Sequence, residues 1–139
     1  MTKHWILLFA AWAIALAASL SVLFIGEVMG QEPCILCWYQ RAFMFPLAII
    51  LGLAVWRNDF SIWIYGVLLS VLGGVIAIYH SLLYMGFIPK PLEPCNATLS
   101  CSGEGMLIFG NLPLPILSVI TFTFIAGLLL AIRRSNHHE

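Results

Sequence analysis

Four long stretches of this chain carry almost no charge, and each is long enough to cross a bilayer. A spanning helix needs about 20 mostly apolar residues. Residues 5–25 and 42–56 contain no charged side chain, and extending the second run back to Cys34 brings it to spanning length with Arg41 as its one charge. Residues 60–88 hold no Asp, Glu, Lys or Arg and a single histidine, His80, and residues 105–132 are likewise uncharged. The last two runs exceed one crossing, so their ends at 85–88 and 105–112 are expected at an interface. Composition excludes a soluble alternative. Hydrophobic residues make up 62 % and charged residues 9 %, against roughly 45–50 % and about 25 % in soluble domains. Six Lys+Arg and six Asp+Glu cannot cover a water-exposed surface without leaving large apolar patches. The expected fold is all-α: an integral membrane four-helix bundle forming one domain over residues 1–139. Its helices are expected near 5–25, 35–56, 61–86 and 113–133, with loops 26–37 and 87–112 on one side.

Orientation follows from the basic residues. With both termini cytoplasmic (N-in/C-in), the inner side carries Lys3, Arg57, Arg133 and Arg134, and the outer side Arg41 and Lys90. The first run also resembles a signal peptide, with Lys3 before it and Ala15-Leu16-Ala17 as a cleavage-like site. The apolar run continues to Ile25, which would put that cut inside the hydrocarbon, so a retained helix is expected. Pro33 suits a helix start, Arg57-Asn58-Asp59 a tight inner turn, and Pro89, Pro91 and Pro94 a break after the third helix. Pro113 and Pro115 bracket the entry to the fourth helix, and Pro46 is expected to kink the second near its outer end. Net charge is zero and no basic stripe exists, so nucleic acid is not an expected partner. The lipid bilayer is.

The four cysteines fall in two pairs, Cys34/Cys37 after the first run and Cys95/Cys101 after the third. In a four-span topology both loops share a side, and the basic residues make it the outer one, where disulfides persist. Cys34-Ile35-Leu36-Cys37 is a C-x-x-C at a helix start. The sulfurs close a small ring that opens easily, and the helix N-terminus stabilises a thiolate. Cys95 and Cys101 are separated by five residues in a polar, Gly- and Pro-flanked stretch. That describes either a mobile redox loop or a structural staple. A four-cysteine zinc site is a further reading, though C-x5-C is wide for half of it, and no metal is expected. Asn96-Ala97-Thr98 is a glycosylation sequon that matters only in a eukaryotic secretory pathway.

Arg41 lies one turn deeper than Cys37 on the same face. Alone, such an arginine reads as an interfacial anchor. Beneath C-x-x-C it reads as a charge that holds a thiolate or a reduced, anionic ligand. His80, beside Tyr79 and a turn from Tyr84, is either a core histidine bonded to a tyrosine or a carbonyl, or a donor to a carbonyl oxygen of a redox ring. Trp38, Tyr39, Phe43 and Phe45 form an interfacial belt or wall a flat apolar site. These features suggest an electron path. Thiol–disulfide exchange moves two electrons between sulfurs, and with no metal or haem ligand set present a lipid-soluble quinone fits as acceptor.

The sequence resembles the DsbB family of disulfide-bond formation membrane proteins, in particular its short, BdbC-like members from Gram-positive bacteria. The resemblance is carried by Cys34-Ile35-Leu36-Cys37-Trp38-Tyr39-Gln40-Arg41, Tyr79-His80-Ser81, Cys95 to Cys101, and Phe109-Gly110-Asn111-Leu112-Pro113-Leu114-Pro115. It implies a four-helix bundle in the cell membrane that reoxidises an extracytoplasmic thioredoxin-fold thiol oxidase (DsbA/BdbD-like) and reduces a membrane quinone, menaquinone or ubiquinone. By position, Cys95 resembles the residue that forms the mixed disulfide with that partner. Cys101 resembles its mate, which passes electrons to the C-x-x-C pair by attacking Cys34. Cys37 resembles the cysteine beside the quinone, and Arg41 and His80 match residues that support it. One departure is the second cysteine pair, closer together than in the longer enterobacterial relatives, which shortens the reach of Cys101 from Cys95.

Three alternatives stand beside this reading. A vitamin K epoxide reductase-like enzyme shares the chemistry, but there the C-x-x-C lies at the last helix and the loop cysteines come earlier. A small four-span transporter needs an embedded carboxylate, and no Asp or Glu lies mid-span. A non-catalytic membrane protein stapled by two disulfides would resist mild reduction, whereas redox-active pairs would titrate.

Overall fold

The computed structural model describes residues 2–28, 30, 35–87, 107–108 and 112–137. Four helices dominate: α1 (Lys3–Glu27), α2 (Ile35–Arg57), α3 (Trp63–Tyr84) and α4 (Leu114–Asn136). All four are long and apolar enough to cross a membrane. A 3-10 turn, Phe60–Ile62, leads into α3. Ahead of α4 the two-residue strands β1 (Leu107–Ile108) and β2 (Leu112–Pro113) pair antiparallel, Leu107 opposite Pro113 and Ile108 opposite Leu112. The all-α membrane bundle expected from sequence is what the chain forms, and this short ladder is a detail that reading did not include. The expectations for Cys34, Cys95, Cys101, Lys90, Pro33, Pro89, Pro91 and Pro94 concern residues outside the described set, as do those for Phe109, Gly110 and Asn111.

The helix ends have identifiable causes. Thr2 caps α1 by accepting from the Trp5 N–H, filling one of the orphan donors of a helix start. α2 runs through Pro46 as one helix, although the proline ring removes the N–H that would have reached Ala42. It stops where Asn58 turns left-handed (φ 53°) and the Asp59 N–H bonds back to the Ala54 carbonyl, a Schellman closure. Asp59 then caps the 3-10 turn through the Ser61 N–H. α3 closes the same way, with Gly86 at φ 81° and the Phe87 N–H on the Leu82 carbonyl. Arg133 and Arg134 occupy the last turn of α4, where cations complement the helix dipole.

The helices form an antiparallel ring in which α1 packs on α2 and α4, and α3 on α2 and α4. Ring contacts fix one end: His4 meets Phe60, and the Arg133 guanidinium lies over Trp63. Lipid tails are as apolar as leucine, so such helices associate by close packing rather than by hydrophobic expulsion. The sequence meets this with small residues opposite large ones. α3 buries Gly66, Ser70, Gly73 and Ala77, and α4 buries Phe122, Ile125, Leu129 and Ile132. A Cβ placed on Gly73 would lie 2.4 Å from the Phe122 ring, and one on Gly66 would lie 2.6 Å from Leu129. α1 turns in Leu8, Ala11, Ala15 and Ser19, while Trp12 lies against the notch at Gly52 of α2. The buried hydroxyls of Ser19, Ser70 and Ser81 donate to the carbonyls of Ala15, Gly66 and Ala77, so none needs water the bilayer would not supply.

Candidate functional site

The site lies at the end of the bundle where α2 begins and α1 and α3 finish. Its first member is Cys37. α2 starts at Ile35, so Cys37 sits in the opening turn, at the positive end of the helix dipole. Cys34, Cys95 and Cys101 lie outside the described residues.

Arg41 follows one turn on. Its guanidinium donates to the Val22 carbonyl of α1 at 3.1 Å and lies over the Trp38 ring, 5.4 Å from its centroid. A charge at this depth needs such partners, a carbonyl dipole on one side and a ring face on the other. Gly26 lies beside the guanidinium: a Cβ there would be 3.4 Å from its nearest nitrogen, an ordinary contact distance, so alanine fits and a side chain as long as leucine would crowd Arg41.

His80 is 1 % exposed and lies near the end of α3. The structure supplies a partner the sequence reading did not name: the Gln40 amide nitrogen is 2.9 Å from His80 Nδ1. Gln40 is itself buried. Leu36 and Leu83, packed with Cys37, Tyr79 and Tyr84, lie one turn from the pair toward this end of the bundle. Met44 and Ala77 of the main core lie one turn the other way.

Cys37, Gln40, Arg41 and His80 all line one cavity of about 350 Å³. Small-molecule sites run from roughly 300 to 1,000 Å³ and set a few polar groups in an apolar wall. Here α1 supplies Ala17, Ala18 and Val22 to the wall, and α4 supplies Pro115, Leu117 and Phe122. Ala17 of α1 and Leu117 of α4, both in the lining, are solvent-accessible residues. Three hydroxyls also line it, but Ser21, Ser118 and Thr121 donate back to the carbonyls of Ala17, Leu114 and Leu117. They offer the cavity lone pairs. The Arg41 guanidinium brings donors.

The sequence picks out Cys37, Arg41 and His80, and the structure brings these three to one cavity from α2 and α3. It misses Gln40, whose signal was available as a polar residue three positions after Cys37 in an apolar span. The aromatic wall offered as one reading of Trp38, Tyr39, Phe43 and Phe45 is not there. None of the four lines the cavity. Trp38 and Tyr39 are exposed at the bundle surface, and Phe43 packs against the core. The ring that does face the cavity is Phe122.

Comparison with known proteins gives a consistent result. The family model described as "Disulfide bond formation protein DsbB" matches residues 2–132. A "Probable disulfide formation protein" of Metapseudomonas resinovorans is 56 % identical over 131 residues, 94 % of this chain and 91 % of the relative. "Disulfide bond formation protein C" of Bacillus subtilis is 36 % identical over 127 residues, covering 90 % and 91 %. A "Probable disulfide formation protein" of Deinococcus radiodurans is 38 % identical over 132 residues, covering 88 % and 85 %. No solved structure matches the chain.

Proposed function

This chain belongs to the DsbB family of multi-pass membrane disulfide bond formation proteins, and we propose that it oxidises an extracytoplasmic thioredoxin-fold thiol oxidase and delivers the electrons to a membrane quinone. The observation that carries this reading is the convergence of Cys37, Arg41 and His80 on one largely apolar cavity. A quinone offers two carbonyl acceptors on a flat apolar ring, and the cavity sets the Arg41 guanidinium and the His80 ring in an apolar wall. A bound quinone supplies a two-electron, two-proton acceptor.

The residues divide the work. Cys95 receives the partner's attack, with Cys101 as its mate, and the resulting dithiol reduces Cys34–Cys37. Cys37 brings the electrons to the cavity wall as a thiolate stabilised by the start of α2. Of the five N–H donors of a guanidinium, Arg41 commits one to Val22 among the described residues, which leaves fixed positive charge for developing negative charge. His80 lines the same cavity from α3. Apolar side chains of α1 and α4 keep water away. The proposed orientation is N-in/C-in, with the cysteine loops outside. Lys3, Arg57, Arg133 and Arg134 then gather at the inner end, as the positive-inside rule favours.

The test is anaerobic mixing of purified protein with a reduced thioredoxin-fold oxidase and either menaquinone or ubiquinone, following quinone absorbance. Wild type should reduce the quinone. Cys37→Ser should lose that reduction while Cys95 still traps the partner as a mixed disulfide. Quinone reduction that survives Cys37→Ser removes Cys37 from the path.

A further inference from the structure

The contact between Gln40 and His80 fixes more than a packing distance. A glutamine amide nitrogen can only donate, so the His80 Nδ1 that it meets at 2.9 Å must present a lone pair. An imidazolium carries protons on both nitrogens and has no such lone pair, so this contact belongs to the neutral ring with its proton on Nε2. From this we infer that Gln40 is a positioning residue: it holds His80 in the Nε2–H tautomer, so that His80 brings a hydrogen-bond donor without net charge to the cavity it lines.

Burial supports the inference. Both side chains are buried, Gln40 at 8 % exposure and His80 at 1 %, in a span where no bulk water competes for the amide. The proton balance gives the arrangement a use. Closing a disulfide from two thiols releases two electrons and two protons, and forming a quinol from a quinone consumes both. The tautomer decides which nitrogen of this cavity-lining ring carries hydrogen and which carries a lone pair.

The inference rests on the reading of the cavity as the acceptor site, and its test separates the two. Full-length protein labelled with 15N-histidine is studied by NMR in micelles without quinone, with His80 assigned by its loss in His80→Asn. In wild type the proton should sit on Nε2 and Nδ1 should be bare. Gln40→Glu preserves length, but its carboxylate can only accept, so the proton should move to Nδ1. Gln40→Met, which keeps the shape and removes the donor, should give a mixture. Steady-state quinone reduction by Gln40→Glu should fall about tenfold in kcat, with trapping of the partner by Cys95 unchanged. A wild-type proton on Nδ1, or a Gln40→Glu protein with the wild-type tautomer, would overturn the assignment. The wild-type spectrum decides it even if the variants do not fold. Wild-type protein that shows the expected tautomer yet reduces no quinone would overturn the cavity reading and leave the placement of the proton intact.

Discussion

The Arg41 guanidinium is held by a carbonyl and a notch on α1 as well as by Trp38 on its own helix. Two substitutions follow from that. Arg41→Ala should raise the KM for quinone, because the charge facing the acceptor is gone. Gly26→Leu should do the same without touching a cavity residue, since its side chain would occupy the space the guanidinium uses. Unchanged quinone kinetics in both would return Arg41 to the role of an interfacial anchor. Asp59, at the other end of the molecule, gives a pH prediction. The Ser61 hydroxyl, then the Ser61 N–H and Arg57, hold its carboxyl below the usual carboxylate range. A depressed folded value means the carboxylate's stabilising contribution is present above the ordinary range and is lost as pH falls through the folded value, below about 4. In micelles, wild type should melt above Asp59→Asn near neutral pH, and the two curves should converge in acid.

At the scale of helices, α3 and α4 meet because glycines leave room for large side chains. Gly73→Ala should force Phe122 off its position, since the new Cβ would overlap the ring. Overpacking of this kind costs about 1–3 kcal/mol, read as a lower melting temperature, and Phe122→Leu in the same chain should recover part of it. Phe122 also lines the cavity, so the single variant should shift the quinone KM as well. A melting temperature equal to wild type would mean that α3 and α4 separate freely at this contact. The short β1–β2 ladder ahead of α4 is the element that periodicity gave no hint of. Its strands are two residues long, too short for alternation to register.

For the whole molecule, the four spans were legible because a bilayer leaves uncharged runs of that length few other folds. Arg41 and His80 were legible for the same reason, as ionisable groups in apolar segments. Gln40 stood out only as a polar residue in an apolar span; its role was not legible, because a neutral amide carries no charge signal and its partner lies 40 residues away in sequence. The cavity wall was not, because helical periodicity does not say which helices are neighbours. The proximity of α1 to α4 makes Ala17, Ala18 and Pro115 wall residues, and no local motif marks them. Sidedness follows from the proposed orientation. A membrane-impermeant thiol reagent should label Asn58→Cys, in a cysteine-free background, from the inner face, and Cys95 from the outer face. Labelling of both from one face would contradict the topology. The central claim is that the electrons end on quinone, and stoichiometry in sealed proteoliposomes tests it most directly. With reduced thioredoxin-fold oxidase added outside and quinone in the lipid, under anaerobic conditions, one quinol should form for every two thiols oxidised. Thiol loss without quinol, or quinol formed in the absence of thiol loss, would contradict it.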